Sequence, residues 1–161
     1  MDEELELQLL EHSVKLRGIL LEATIEIERK MDRFLSNYFC KDEITSNELL
    51  EFLWMSERVT LGSKKDILFY VLDAHYKDFL KAFPEFKSSL EDLVPHRNIF
   101  AHLEIDRDLS DYNGVYEIKF KKFSKGKLEV KKYGRSQIEQ ITEGFNRVNF
   151  AFDLLLNNNA P

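Results

Sequence analysis

From about Leu5 to Phe39 the apolar residues of this chain recur at helical intervals, and no other feature restricts its fold so much. Leu16, Leu20, Ala23, Ile27, Met31, Phe34 and Tyr38 form one stripe between charged positions, the pattern of an amphipathic helix with one face to bury. Such a helix, bent if anywhere at Gly18, needs partners along its length.

The remaining sequence supplies them. Thr45 and Glu48 have capping-box spacing and open a short helix through Leu49, Leu50, Leu53 and Trp54, ending before Gly62. Ser63 caps a third helix through Ile67, Tyr70, Val71 and Phe79. Phe86, Leu90, Leu93 and Phe100 keep one stripe running past Pro95, which predicts a helix kinked there or two helices meeting there. Tyr116, Ile118 and Phe120 alternate with polar residues, as do Leu128 and Val130. Ser124-Lys125-Gly126 between them is a turn signal, so residues 115–133 read as a β-hairpin. Ser136 and Glu139 cap a last helix with Ile138, Ile141, Phe145, Val148, Phe152 and Leu155 inward, and the run Asn157 to Asn159 should fray.

The expected fold class is therefore all-α, a helical bundle carrying one inserted β-hairpin. With 161 residues, 43% of them hydrophobic, and no repeat or linker, residues 1–161 form one domain. The acidic start Met1-Asp2-Glu3-Glu4-Leu5-Glu6 is unlike a secretory signal, and no apolar run approaches the roughly 20 residues of a membrane span. A cytoplasmic protein with no membrane partner is expected. The lone Cys40 cannot form an intrachain disulfide and reads as a structural or incidental thiol. The net charge of -6 argues against wholesale coating of nucleic acid, so any RNA contact is local.

The candidate chemistry lies just after Pro95. Asn98 and His102 share a helix face, and Arg97, one position round, is long enough to reach it. Imidazole exchanges protons near neutral pH, and a guanidinium holds phosphate oxygens through paired donors. Cleavage of RNA can use both without a metal: the 2′-hydroxyl attacks, His102 moves its proton, Arg97 stabilises the phosphoryl charge, and Asn98 orients one or the other. His96 points elsewhere on the helix. A plainer arrangement of the same residues pairs Arg97 with Glu91 or Glu104 and leaves His102 at the core edge.

The run Arg97-Asn98-Ile99-Phe100-Ala101-His102, set on a late helix of a helical bundle, resembles the signature of the HEPN superfamily. The long first helix and the terminal helix match that family's layout, with the hairpin as an insertion. The resemblance implies a metal-independent endoribonuclease in a toxin or antiphage setting, a homodimer with two motifs facing each other, and an antitoxin or regulatory partner. It equally admits a non-catalytic dimerisation or partner-binding module, since some members have lost activity. A helical scaffold outside the family is the third reading.

Charge is segregated onto the hairpin: Glu117 to Arg135 carries eight basic residues against two acidic, leaving -12 for the rest. Strand alternation puts Lys119, Lys121, Lys127 and Lys131 on the face opposite Tyr116, Ile118, Phe120, Leu128 and Val130, a ribbon able to hold an RNA backbone or simply to keep an edge soluble. The four histidines and Cys40 show no zinc spacing and the glycines no phosphate loop, so no metal or cofactor is expected. Phe34, Tyr38, Phe69, Tyr70, Phe145 and Phe152 sit at core periodicity. The acidic residues Glu22, Glu26 and Glu28 read as a solvated face, one of which could approach the site in a dimer.

Overall fold

The structure, a computed structural model, describes residues 3–56, 58–108 and 117–157. The first stripe folds as expected into α1 (Glu3–Phe39), 37 residues without a break. Leu20, Ile27, Met31, Phe34 and Leu35 are buried, and α1 packs along α6 (Arg135–Asn157), α5 (Phe86–His102), α3 (Leu61–His75) and α2 (Glu43–Leu49).

Two of the three caps fall three residues earlier than expected, and Ser136, the third, lies inside α6, which begins at Arg135. Asp42, not Thr45, caps α2: its carboxylate accepts from the Thr45 backbone N–H and hydroxyl, each at 2.9 Å. Those bonds hold the exposed Asp42 carboxyl below its ordinary range, the backbone one foremost. Thr60, not Ser63, caps α3 by accepting from the Ser63 N–H at 3.2 Å. A π-helical segment, Leu50–Trp54, continues α2 and turns Trp54 into the core. The expected third helix is two: α3 stops at His75, Tyr76 leaves helical geometry, and Phe79 belongs to the short α4 (Lys77–Ala82). α4 ends at Phe83, which precedes Pro84 and is sterically pushed out of the helical region. Tyr70, expected inside, is 74% exposed.

Pro95 lies within a single helix. It removes one backbone donor, while Phe86, Leu90, Leu93 and Phe100 remain buried along α5 on both sides of it. The last carbonyls of α5 find their donors on α1: Arg17 Nε donates to the Phe100 carbonyl at 2.6 Å and Nη2 to that of Ala101 at 3.2 Å. A guanidinium at a helix C-terminus satisfies orphan carbonyls and meets the negative end of the helix dipole.

The hairpin forms, and a third strand joins it. β1 (Glu104–Ile105) pairs antiparallel with β2 (Glu117–Ser124), which pairs with β3 (Lys127–Gly134). Lys125 and Gly126, with φ of 51° and 77°, make the two-residue turn that suits a right-twisted hairpin. This turn sets Ser124 opposite Lys127, and the register follows. Ile118 and Phe120 then share a face with Lys131 and Tyr133, while Leu128 and Val130 lie on the other face with Lys119 and Lys121. The expected division into an apolar and a basic face is therefore wrong: Leu128 and Val130 are exposed, and Lys119 is buried. Tyr116, also assigned to the apolar face, lies outside the described residues, as do Asn158 and Asn159; Asn157 ends α6. The inner face docks through Phe100, Phe120 and Tyr133, whose ring centres are 5.5 to 5.8 Å apart.

The protein is thus mostly helical with a small three-stranded antiparallel sheet. Among the described residues no helix is long and apolar enough to cross a membrane. Replacing Arg17 by Met strips two charged hydrogen bonds from the end of α5 and should lower stability by about 1–3 kcal/mol. Urea unfolding measures it, and an unchanged midpoint would show that Arg17 does not hold that end.

Candidate functional site

Along α5 the inward positions run 90, 93, 97, 100, so a cation occupies a place in the apolar stripe where a leucine would fit. Arg97 is accordingly half-buried, with its Nε enclosed and unpartnered. Its two terminal nitrogens point different ways. Nη1 lies 3.4 Å from His102 Nε2, and Nη2 lies 3.7 Å from Glu28 Oε2 on α1. A guanidinium only donates, so Nε2 must accept, and the imidazole of this contact carries its proton on Nδ1.

Behind Glu28 stands a buried ammonium. Lys64 on α3, 3% exposed, donates at 2.9 Å to Glu28 Oε1 and at 2.9 Å to Asp32 Oδ2. Burial pushes the Asp32 carboxyl up to about 6, outweighing the Lys64 contact that pulls it down; Glu28 adds to the rise. Asp32, Lys64, Glu28, Arg97 and His102 thus form one polar chain across three helices. Neither Glu91 nor Glu104 pairs with Arg97; Glu91 instead faces Lys65 at 3.5 Å.

The chain opens into a cleft of about 760 Å³, walled by α1, α5 and the start of α3. Arg97, Asn98 and His102 all line it, with Asn98 and His102 exposed. Met55, Val59 and Leu61 give it an apolar rim. The three residues singled out in sequence therefore share one cavity, and an anionic group entering it meets a guanidinium held from behind and an imidazole beside it.

Asp32 and Lys64 were missed, and Glu28 was assigned to a solvated face. Their signal was available in the pattern: Lys64 precedes the buried Leu68 by one turn, and Glu28 and Asp32 flank the buried Met31. Charges at core spacing need partners, yet the partners lie too far along the chain for periodicity to reveal them. Glu28 reaches the site within its own chain rather than from a second copy.

The other expected residues scatter. His96 turns to the opposite side of α5, where its Nδ1 lies 3.0 Å from the Tyr133 hydroxyl. Burial, and then the Lys131 ammonium, hold its imidazole below the ordinary range. Burial alone pushes the Tyr133 hydroxyl up to about 12. Of the hairpin lysines, Lys119 is 5% exposed and pairs with Glu117 at 3.5 Å, and Lys121 pairs with Asp106 at 3.1 Å. Lys127 and Lys131 are exposed. Cys40 is a free thiol, half-buried and outside this cleft.

Comparison with protein-family models, curated proteins and solved structures gives no match.

Replacing Lys64 by Met leaves two carboxylates without their shared cation, and breaking such a pair costs about 3–5 kcal/mol at neutral pH. The Asp32 carboxyl, titrated by carbon-13 NMR, should move further above 6. Because its folded value exceeds its unfolded one, the Asp32 contribution to stability is present at about pH 4 and lost as pH rises towards 6. Without Lys64 the loss is larger, so the stability gap between the two proteins should widen from pH 4 to pH 7.5. A gap independent of pH would contradict this account of the clamp.

Proposed function

We propose that the chain is an HEPN-like endoribonuclease that cuts RNA without a metal, using Arg97, Asn98 and His102. The observation that carries this reading is the 3.4 Å contact of Arg97 with His102 at the wall of an open cleft, with Glu28, itself bonded by Lys64, 3.7 Å behind the guanidinium.

In the resting arrangement Arg97 occupies His102 Nε2. A scissile phosphate entering the cleft competes for the guanidinium, which prefers an anion to a neutral ring. Nε2 is then free to take the proton of the ribose 2′-hydroxyl. The 2′-oxygen bonds to phosphorus, the bond from phosphorus to the 5′-oxygen breaks, and the proton passes to that leaving oxygen. Arg97 balances the charge that grows on the phosphoryl oxygens, and Asn98 orients the phosphate through its amide. The products are a 2′,3′-cyclic phosphate and a 5′-hydroxyl; DNA, lacking the nucleophile, is not cut. A fixed guanidinium favours such a step because little reorganisation remains when charge develops.

The second reading is a module that binds a further copy or a regulatory protein. It is favoured by the exposed Ile44 on α2, Phe52 on its π-helical continuation and Met55 just after it, the last of which lines the cleft. Where such side chains adjoin, they mark interaction sites. A homodimer joined there would bring a second surface beside each cleft.

The two separate in one assay: incubation of a mixed RNA pool in EDTA with the native chain and with His102→Ala, followed by analysis of product ends. Cyclic-phosphate ends from the native chain, reduced by about 10²-fold or more in the variant, are expected. Equal cleavage by both would remove His102 from the mechanism. No cleavage by the folded native chain would favour the binding module.

A further inference from the structure

On the side of α5 away from Arg97 and His102 a second depression runs between α5 and α6. Its floor is Leu93 against Gly144, where an added Cβ would make ordinary van der Waals contact with the Leu93 side chain at 3.5 Å. One half, about 590 Å³, is polar and is lined by Asp92, His96, Lys131, Gln137, Gln140 and Arg147 among others. The other half, about 260 Å³, is walled by Phe83, Phe86 and Phe150. The two halves adjoin at Ser89 and Arg147, which line both. From Gln137 to Phe150 the depression follows α6 for about 20 Å, at 1.5 Å per residue.

Three properties of this groove converge on one ligand chemistry. Arg147 and Lys131 are exposed, and among the described residues neither is within ion-pair distance of a carboxylate; the carboxylates of the groove, Asp92 and Glu85, stay apart from them. Phe150 is 59% exposed and rests edge-on against Phe83, ring centres 6.3 Å apart, which leaves ring surface open to solvent. Gln140 offers an amide donor and acceptor along one wall, and Gln137, whose Oε1 accepts from the Gly134 N–H at 3.3 Å, adds its amide donors. Cations without a carboxylate partner suit phosphates, although Lys131 also lies over the Tyr133 ring at 5.8 Å; an open ring suits a base, and amides suit base edges. The groove also runs out onto the basic hairpin: Lys131 shares a strand face with Lys127 and Lys122.

We propose that the groove between α5 and α6 binds nucleotide units of single-stranded RNA, with Arg147 and Lys131 on phosphates and Phe150 under a base. The ligand class is the one proposed for the cleft, but the residues are different, so the two ideas fail separately. His96 fits this role, since burial and then Lys131 hold its imidazole below the ordinary range and its Nδ1 lies 3.0 Å from the Tyr133 hydroxyl. An acidic peptide satisfies the cations but leaves the aromatic half and the amides without purpose.

The test uses the His102→Ala chain, which leaves RNA intact, and fluorescence anisotropy with a short labelled single-stranded RNA. Arg147→Glu should weaken binding about tenfold or more, and Arg147→Ala should reduce the salt dependence by about one phosphate contact. Phe150→Ala should weaken binding about 5- to 150-fold, the effect of losing one stacked base. Both positions are exposed, and unchanged thermal melting confirms that each variant is folded. Adenosine monophosphate identifies the source: competition assigns a single-nucleotide pocket, and its absence alongside RNA binding assigns a track for the polymer. Unaltered affinity in the Arg147 and Phe150 variants overturns the proposal, as does no RNA binding at all. Displacement of RNA by polyglutamate as effectively as by unlabelled RNA overturns the assignment to nucleotides.

Discussion

The burial of one face of α1 is the constraint on which the other elements depend. An isolated helix gains little from its own hydrogen bonds and draws its stability from packing an apolar face. α1 does so with Leu20, Ile27, Met31, Phe34 and Leu35. Seating that stripe carries nearby polar residues inward as well: Thr24, Glu28 and Asp32 lie within or beside it, and Arg17 sits one turn before it closes on Leu20. Each then needs a partner. Thr24 bonds its own helix through the Leu21 carbonyl, Arg17 takes the end of α5, and Glu28 and Asp32 take Lys64 of α3. The polar exceptions in the stripe thus help to decide where α3 and α5 settle, which apolar burial alone, being non-directional, leaves open.

The elements were legible because they are written in periodicity. The stripes of α1, α5 and α6 each appear where the spacing of Leu, Ile and Phe puts them. Boundaries were less so, for a chemical reason: Asp42, Thr45, Thr60 and Ser63 all have side chains able to cap a helix, and the one that does is chosen by where the backbone leaves helical geometry. The faces of the hairpin were misread for a different reason. Alternation assigns faces within a strand, but relating the two strands needs the register, which the Lys125-Gly126 turn fixes. With that register Val130 lies across from Lys121 and is exposed, while Tyr133, two positions beyond Lys131, becomes the buried member of β3.

The candidate site was legible as a motif and illegible as a mechanism of support. Arg97, Asn98 and His102 stand within six residues, so helical geometry alone brings them to one cleft. Glu28, Asp32 and Lys64 reach the same place from α1 and α3, and nothing local to any of them names its partner. What the sequence does carry is the anomaly itself, a charge at core spacing, repeated at Arg97, Asp32 and Lys64. Three such anomalies of mixed sign in one small core imply that they meet, because an unpaired buried charge costs far more than a paired one.

α5 is where these observations combine. One of its sides faces the cleft with Arg97, Asn98 and His102; another faces α6 and β3 with Ser89, Asp92 and His96. Between them the helix is gripped at both ends of the relevant stretch: Arg17 holds the carbonyls of its last turn, and Leu93 packs onto Gly144 of α6. The Phe100, Phe120 and Tyr133 cluster adds the sheet as a third support. A helix so held leaves the exposed His102 little backbone freedom, while the half-buried Arg97 faces Glu28 at 3.7 Å. Placement of reacting groups on a rigid element, with a second layer of contacts behind them, is the physical condition for holding charge where it develops. If Arg97 and His102 act as proposed, that second layer is the Lys64 ammonium, which bonds Glu28, the carboxylate facing the guanidinium.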